Sequence, residues 1–186
     1  VLFTLLNTEA LALKVSTEDE NKKIQFYDHK IQEHPNAYAV YAQLADVYLE
    51  RSKKTFDPND ILKAKSLIQA SLTVYPYNYL AYRNKARIHN YVHDFQQALE
   101  ATLNAEKYFP TDPTLTLMKM DNYIALDDKE NAEKLAKSLK PDNYQNVVAL
   151  GNWHVSIHQV DAAKEFYLKA RDYAIKAKNE SLGHWY

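Results

Sequence analysis

Apolar residues recur at intervals of three and four along most of the chain, with polar residues between them. This spacing puts apolar side chains on one face of an α-helix, and no strict alternation typical of a β-strand competes with it. Four helical segments of this kind lie at residues 36–50, 78–92, 113–126 and 144–158. After a polar turn, each is followed by a second helical segment, within residues 59–76, 93–110, 128–141 and 159–178. The pattern therefore predicts an all-α chain built from four helix pairs.

The helix pairs repeat with a regular period. An alanine in the second helix of each pair recurs after 34, 34 and 31 residues, at Ala64, Ala98, Ala132 and Ala163. Proline closes three of the pairs, where its ring and its missing N–H end a helix. A self-similar period of about 34 residues indicates a solenoid of stacked helix pairs.

The residues inside this period resemble the tetratricopeptide repeat, which has an aromatic residue, a Leu–small pair, a tyrosine, an alanine and a closing proline at fixed places. The matching residues are Tyr41, Leu44, Ala45, Tyr48, Ala64, Ile68, Ser71, Pro76, Tyr82, Ala86, Ala98, Ala105, Pro110, Tyr123, Ala132, Ala136, Leu150, Gly151, Ala163, Tyr167 and Ala170. The resemblance covers residues 36–178 and implies a right-handed superhelical solenoid of antiparallel helix pairs. Small residues suit this fold, since large side chains would push paired helices beyond about 8–10 Å.

The predicted organisation is four repeats with additional helices at both ends. The repeats are residues 36–77, 78–111, 112–142 and 143–178. Residues 1–35 are predicted as an N-terminal capping helix and the second helix of a degenerate repeat, and residues 179–186 as the start of a further or capping helix. Thr17 and Glu20 suit a capping box at the start of that second helix.

The first repeat has seven additional residues around positions 51–60. They either lengthen its helices or form a protruding loop, because seven residues are close to two helical turns. Asp57 before Pro58 is typical of an N-cap followed by proline in the first turn.

The apolar residues 1–12 allow two interpretations. The small-residue motif at positions 10–12 fits the end of a signal peptide, in which case the protein is exported to the cell envelope. Leucines at helical spacing also suit an amphipathic capping helix of a cytoplasmic protein. We favour the helix, and the compartment stays open.

Composition and charge exclude several function classes. The net charge of −1 gives no basic excess for nucleic acid or a membrane surface. The absence of cysteine excludes thiolate metal sites, and the presence of only two glycines excludes most glycine-rich phosphate loops. No apolar run is long enough to predict a membrane-spanning helix, and no catalytic motif is recognised. We therefore predict a protein that is not an enzyme and has no cofactor.

Two pairs of histidines four residues apart, His89/His93 and His154/His158, raise the question of a metal site. On a helix this spacing puts both imidazoles on one face, but each pair supplies two ligands where zinc needs three or four. Both pairs occupy the same place in the repeat, and Asp94 is expected to cap the next helix. We therefore predict no metal site and interpret the histidines as packing residues.

The resemblance implies that the first helices line a concave groove that holds a peptide or a partner helix. The predicted groove residues are Asp46, Leu49, Glu50, Arg83, Asn84, Arg87, Asn90, Tyr91, Asp121 and Asn152. In one hypothesis Arg83 and Arg87 grip a carboxylate of the partner. In the other, Asp46, Arg87 and Asp121 pair with one another and contribute little.

Part of the family clamps the C-terminal carboxylate of chaperones with lysine, asparagine and arginine side chains. Ala42 and Asp46 stand where that clamp has lysine and asparagine in its first repeat, and only Asn84 fits. Chaperone-tail binding is therefore not supported.

The segment YPYNYLAY at residues 75–82 is the densest aromatic stretch. Tyrosine is enriched at interfaces, where it combines an apolar body with a polar tip. We favour a packing role, with Tyr82 inside the repeat and Tyr77 and Tyr79 covering the turn between repeats.

Together these features favour a scaffold that binds a peptide or helix of a partner protein in the groove. Two alternatives stay open. In the first, the chain is a regulatory or substrate-presenting region of a longer enzyme. In the second, it is a self-assembling structural component, because solenoids with uncapped ends stack.

Overall fold

A computed structural model describes the backbone of residues 2–183 and the side chains of residues 17–178. Within this range there are nine α-helices and no strand: α1 (Leu2–Glu33), α2 (Tyr38–Thr55), α3 (Pro58–Val74), α4 (Tyr79–Tyr91), α5 (Phe95–Tyr108), α6 (Pro113–Ala125), α7 (Lys129–Ser138), α8 (Tyr144–Ser156) and α9 (Val160–Gly183). The predicted all-α class is confirmed. Helices α2 to α9 form four consecutive pairs, and the turns within the pairs have two or three residues. Turns this short make the paired helices antiparallel.

Side-chain caps set several helix starts. Asp57 accepts a hydrogen bond from the backbone N–H of Asn59 at 2.9 Å, and Pro58 follows it in the first turn of α3. Asp94 accepts from the backbone N–H of Gln97 at 3.3 Å and caps α5. Both predicted caps are confirmed, and each satisfies a donor that the helix itself leaves unpaired.

The structure differs from the prediction at both ends of the chain. Helix α1 continues through the predicted capping box at Thr17, and α9 continues past residue 179 to Gly183. No proline lies within either helix, so the backbone hydrogen bonding is not interrupted. The side chains of residues 1–16 and 179–186 lie outside the described residues. The leader interpretation and the division into repeats stay predictions.

The seven additional residues of the first repeat lengthen both of its helices. Helices α2 and α3 have 18 and 17 residues, whereas α4 and α5 have 13 and 14. Arg51, near the end of α2, donates from Nε and Nη2 to Asp60 at 2.8 and 2.6 Å, and from Nη1 to Asn21 of α1 at 2.6 Å. Lys54 Nζ lies 2.5 Å from Glu20 Oε1. The extension therefore ties α2 to α3 and to α1.

The chain divides into two compact units, Val1–Pro110 and Thr111–Tyr186. In the first unit α2 packs against α1, α3 and α4, and α4 packs against α3 and α5, around a core that includes Leu44. In the second unit α6 packs against α7 and α8, and α8 packs against α9. The core of this unit includes Met120 and Trp153.

The alanines of the repeat pattern lie at the contacts between helices. Ala45, Ala64, Ala86, Ala98 and Ala132 have no exposed surface. Their burial agrees with the expectation that small side chains let the helices approach closely.

Candidate functional site

Helices α2 and α4, the first helices of two successive pairs, are neighbours in the first unit. Asn84 of α4 is fully buried and donates from Nδ2 to the backbone oxygen of Ala42 at 3.0 Å. Its Oδ1 accepts from Arg87 Nη1 at 3.2 Å. A buried amide is costly unless it is hydrogen-bonded, and here both ends have partners. Asn84 therefore fixes α4 against α2, and its amide is not available to a ligand.

Arg87, one turn further along α4, bridges two carboxylates of α2. Its Nη1 donates to Asp46 and its Nη2 donates to Glu50. Asp46 and Glu50 are four residues apart, so both lie on the side of α2 that faces α4. The side chains of Arg87, Asp46 and Glu50 are 20%, 35% and 47% exposed. These three residues, the Arg87 cluster, lie at the surface of the first unit.

Lys53 adds a second cation beside the cluster, with Nζ 3.1 Å from Glu50 Oε1. Desolvation raises the pKa of Glu50, but hydrogen bonds and charges from Lys53 and Arg87 outweigh it and hold that pKa below its ordinary value. Lys53 is not among the predicted groove residues. The signal for it in the sequence is its spacing of three residues from Glu50 on a helix.

The geometry separates the two hypotheses for the arginines. Asp46 and Arg87 pair as the second hypothesis expects, and Glu50 joins them. Both Nη atoms of Arg87 therefore already donate to carboxylates of this chain, so Arg87 does not wait unpaired for a carboxylate of the partner. The energetic part of that hypothesis, that the pairing contributes little to stability, stays a prediction.

The predicted groove residues fall into three groups. Leu49 and Asn84 are buried, at 4% and 0% exposure, so the expectation that they line an accessible surface is corrected. Six of the predicted groove residues lie in the first unit and are partly or fully exposed: Asp46, Glu50, Arg83, Arg87, Asn90 and Tyr91. Asp121 and Asn152 belong to the second unit.

In the second unit Asn152 links three helices. Its Oδ1 on α8 accepts a hydrogen bond from the hydroxyl of Tyr167 on α9 at 2.9 Å. It also bonds to Asp121 of α6, and this bond opposes the desolvation that raises the pKa of Asp121. The second unit therefore uses these predicted groove residues for its own packing.

The histidine pairs do not present two imidazoles on one helix face. Helices α4 and α8 end two residues before His93 and His158, which lie in turns with positive φ values of 58° and 62°. The helical spacing that motivated the metal question therefore does not apply to these residues.

The first histidine of each pair contacts the start of the next helix. His89 Nδ1 lies 3.3 Å from Asp94 Oδ2, and His154 Nδ1 lies 2.8 Å from Gln159 Oε1. His154 also stacks on Phe166, with ring centroids 5.2 Å apart. Among the residues that the structure describes, no group of three or more His, Asp or Glu side chains is placed to hold a metal ion.

Among the helices that the structure describes, none combines the length and the apolar character that a membrane span needs.

Comparison with solved structures identifies the fold as tetratricopeptide-repeat-like. A chain in the crystal structure of the APC/C hetero-tetramer Cut9–Hcn1 matches 86% of this chain with a TM-score of 0.72 and 18% identity. A crystal structure of MamA matches 89% of the chain with a TM-score of 0.63 and 15% identity. The MamA RS-1 ArsTM double mutant matches 96% with a TM-score of 0.65 and 14% identity. The predicted resemblance in fold is confirmed.

At these identities the similarity concerns the fold alone. This chain covers 30% of the matched chain in the Cut9–Hcn1 structure, and 95% and 96% of the two MamA chains. No protein-family model matches the sequence, and no curated protein matches it at a significant level.

Proposed function

We propose that this chain is a non-catalytic scaffold that binds a peptide or helix of a partner protein on the surface formed by α2 and α4. This α2–α4 surface consists of Asp46, Glu50, Arg83, Arg87, Asn90 and Tyr91. The observation that carries the proposal is the Arg87 cluster, in which accessible charges of both signs are held across two neighbouring helices.

The fold supports a binding role. Helical-repeat solenoids present extended surfaces that suit elongated partners. The Cut9–Hcn1 structure is that of a hetero-tetramer, so a chain of similar fold assembles with another protein there.

The cluster is organised before any partner arrives. Asn84, Asp46 and Glu50 hold the guanidinium group of Arg87 in one orientation. A side chain that is already ordered loses less conformational entropy on binding. Tyr91 at the end of α4 is 57% exposed and adds an aromatic anchor of the kind enriched at binding hot spots.

The charges indicate the chemistry of the partner. Asp46 and Glu50 stand one turn apart on α2, and Arg83 and Arg87 stand one turn apart on α4. A segment lying across both helices meets the paired side chains of Asp46, Glu50 and Arg87, with Arg83 one turn away on α4. This arrangement suits an amphipathic segment that carries both an acidic and a basic residue.

The test uses a random peptide phage library panned on the purified chain. Selected peptides are measured by calorimetry against the wild type, Arg87→Gln, Tyr91→Ala and the control Lys137→Gln. Lys137 is an exposed lysine of the second unit that pairs with Glu133 on its own helix, so the control removes one positive charge elsewhere. We expect Arg87→Gln to weaken binding about tenfold, with affinity falling as salt is added.

Two outcomes contradict the proposal. One is that no peptide is enriched. The other is that enriched peptides bind Arg87→Gln and Tyr91→Ala as tightly as the wild type. Thermal unfolding of each variant shows whether a loss of binding reflects a loss of folding.

A further inference from the structure

Five tyrosines of the first unit form a continuous chain of ring contacts, which we call the tyrosine strip. Tyr38 stacks on Tyr75 with ring centroids 4.4 Å apart, and Tyr75 contacts Tyr77 at 5.5 Å. Tyr77 contacts Tyr108 at 5.6 Å, and Tyr108 contacts Tyr82 at 5.9 Å. They meet because first helices begin, and second helices end, at the same end of each antiparallel pair.

Most of the strip is exposed. Tyr38, Tyr75 and Tyr108 are 36%, 39% and 39% exposed, and Tyr77 is 58% exposed. The predicted packing role suits Tyr82, which is half-buried against Tyr108. It does not account for Tyr77, which touches two other rings and still leaves more than half of its surface in solvent.

The sequence segments that contain the five tyrosines carry no formal charge. Residues 35–42, 71–82 and 108–111 contain no Asp, Glu, Lys or Arg, in a chain that is 25% charged. Lys107, next to Tyr108 in the sequence, donates to Asn104 at 3.1 Å. A partner that binds through ion pairs finds no complement in these segments.

We propose that the tyrosine strip binds an uncharged, proline-rich segment of a partner in the polyproline II conformation. A polyproline II backbone makes no internal hydrogen bonds, so its carbonyl groups are free to accept from tyrosine hydroxyls. Proline rings pack against exposed aromatic rings, as in other aromatic-lined grooves for such segments. The contacts among the tyrosines order the rings before binding, which lowers the entropy lost.

The spacing of the rings suits this partner. Polyproline II repeats every three residues, or about 9 Å. The successive contacts of 5.5 and 5.6 Å from Tyr75 through Tyr77 to Tyr108 limit the separation of the first and third ring centroids to at most about 11 Å, a range that includes that repeat.

The strip and the α2–α4 surface are separable by experiment. Binding to the strip does not depend on charge and is insensitive to salt, whereas binding to the Arg87 cluster weakens as salt is added. Failure of one proposal therefore leaves the other standing.

The probe is decaproline, with a Gly-Ser decamer as the control peptide. Each is titrated into the isotope-labelled full chain by NMR at low and at high salt. The variants are Tyr77→Ala, Tyr77→Phe and two matched controls, Tyr91→Ala on the α2–α4 surface and Tyr144→Ala in the second unit. Tyr91 and Tyr144 are 57% and 48% exposed, so each control removes a comparable ring.

We expect decaproline, and not the Gly-Ser peptide, to shift resonances of residues 75–79 and 108–109 equally at both salt concentrations. Tyr77→Ala weakens this binding about tenfold, the loss of one aromatic anchor. Tyr77→Phe retains the ring and gives a smaller loss, and both controls bind as the wild type does. Thermal unfolding of Tyr77→Ala checks that the fold is intact.

The proposal is overturned if decaproline does not bind at millimolar concentration, or if Tyr77→Ala binds it unchanged. Equal losses in Tyr91→Ala place the peptide on the α2–α4 surface instead. Self-association in ultracentrifugation that Tyr77→Ala abolishes, without decaproline binding, assigns the strip to contacts between copies of this chain and also overturns the proposal.

Discussion

The ring of Tyr167 on α9 lies directly against Gly151 on α8, where an added Cβ atom would be 2.6 Å from Tyr167 Cε1. The hydroxyl of the same tyrosine donates to Asn152 at 2.9 Å, which holds the ring across the glycine. Glycine inside a helix costs about 1 kcal/mol relative to alanine. The lower helix propensity of glycine is offset because α9 packs so closely against α8 that no Cβ atom fits at position 151.

We predict that Gly151→Ala destabilises the second unit by about 1 kcal/mol, because displacement of the ring outweighs the gain in helix propensity. In a Tyr167→Ala background the same substitution stabilises by up to about 1 kcal/mol, since only the propensity gain is left. Chemical denaturation of the four proteins gives the coupling as a double-mutant cycle. Equal effects of Gly151→Ala in both backgrounds would refute the contact.

The turn between α8 and α9 places His158 in the left-handed region, at a φ of 62°. A residue with a Cβ atom pays about 1–2 kcal/mol there, and glycine pays roughly 0.5–1 kcal/mol in additional chain entropy. His158→Gly is therefore expected to stabilise the second unit by about 0.5 kcal/mol. Thermal unfolding measures this, and His158→Ala, which keeps the Cβ atom, is the matched control. A lower melting temperature for His158→Gly than for His158→Ala contradicts the prediction.

The bidentate pair of Arg51 and Asp60 is largely buried, with the side chains of Arg51 and Asp60 17% and 1% exposed. Arg51→Met leaves that carboxylate buried without its partner, which costs about 3 kcal/mol. Lys53→Met, on the same helix, removes an exposed pair with Glu50 and costs less than about 1 kcal/mol. Hydrogen exchange is expected to show increased opening of α1, because Arg51 also bonds to Asn21. Similar losses in the two variants would argue against this role of Arg51.

Acid titration reports on the Arg87 cluster. The folded-state pKa of Glu50 is lowered, so its ionised form stabilises the fold at pH values above the ordinary glutamate pKa. That contribution is lost as the pH falls through the lowered value. We predict that Arg87→Gln raises the NMR titration midpoint of Glu50, whereas Lys137→Gln leaves it unchanged. An unchanged midpoint in Arg87→Gln would mean that Lys53 alone lowers this pKa.

Several features of the fold could be predicted because they depend on local chemistry. Asp57 and Pro58 start α3 as expected, since an N-cap and a proline in the first turn act within a few residues of themselves. The burial of the alanines could be predicted because the repeat places a small residue wherever two helices pack closely. Thr17 shows the limit of such signals, because a cap-like residue does not start a helix where an existing helix continues.

The candidate site could be predicted only in part, because it depends on which neighbour each side chain meets. A polar Asn84 on a first helix is expected at the surface, yet the backbone oxygen of Ala42 lets it be buried. The spacing of four residues from His89 predicts that His93 is helical, but His93 lies in the turn after α4 with a positive φ. The tyrosine strip joins residues of three helices, α2, α4 and α5, to two residues of the turn between α3 and α4, and no pattern along the sequence measures those contacts.

The lengthened α2 limits which helix pairs of this chain can be exchanged for one another. Helix α2 is five residues longer than α4, and its last two turns carry the bonds of Arg51 and Lys54 to α1. A chimera in which a copy of α4–α5 replaces α2–α3 keeps the repeat spacing but loses these bonds. Helices α1 to α3 therefore form one three-helix building block, which has to be transplanted or deleted as a whole.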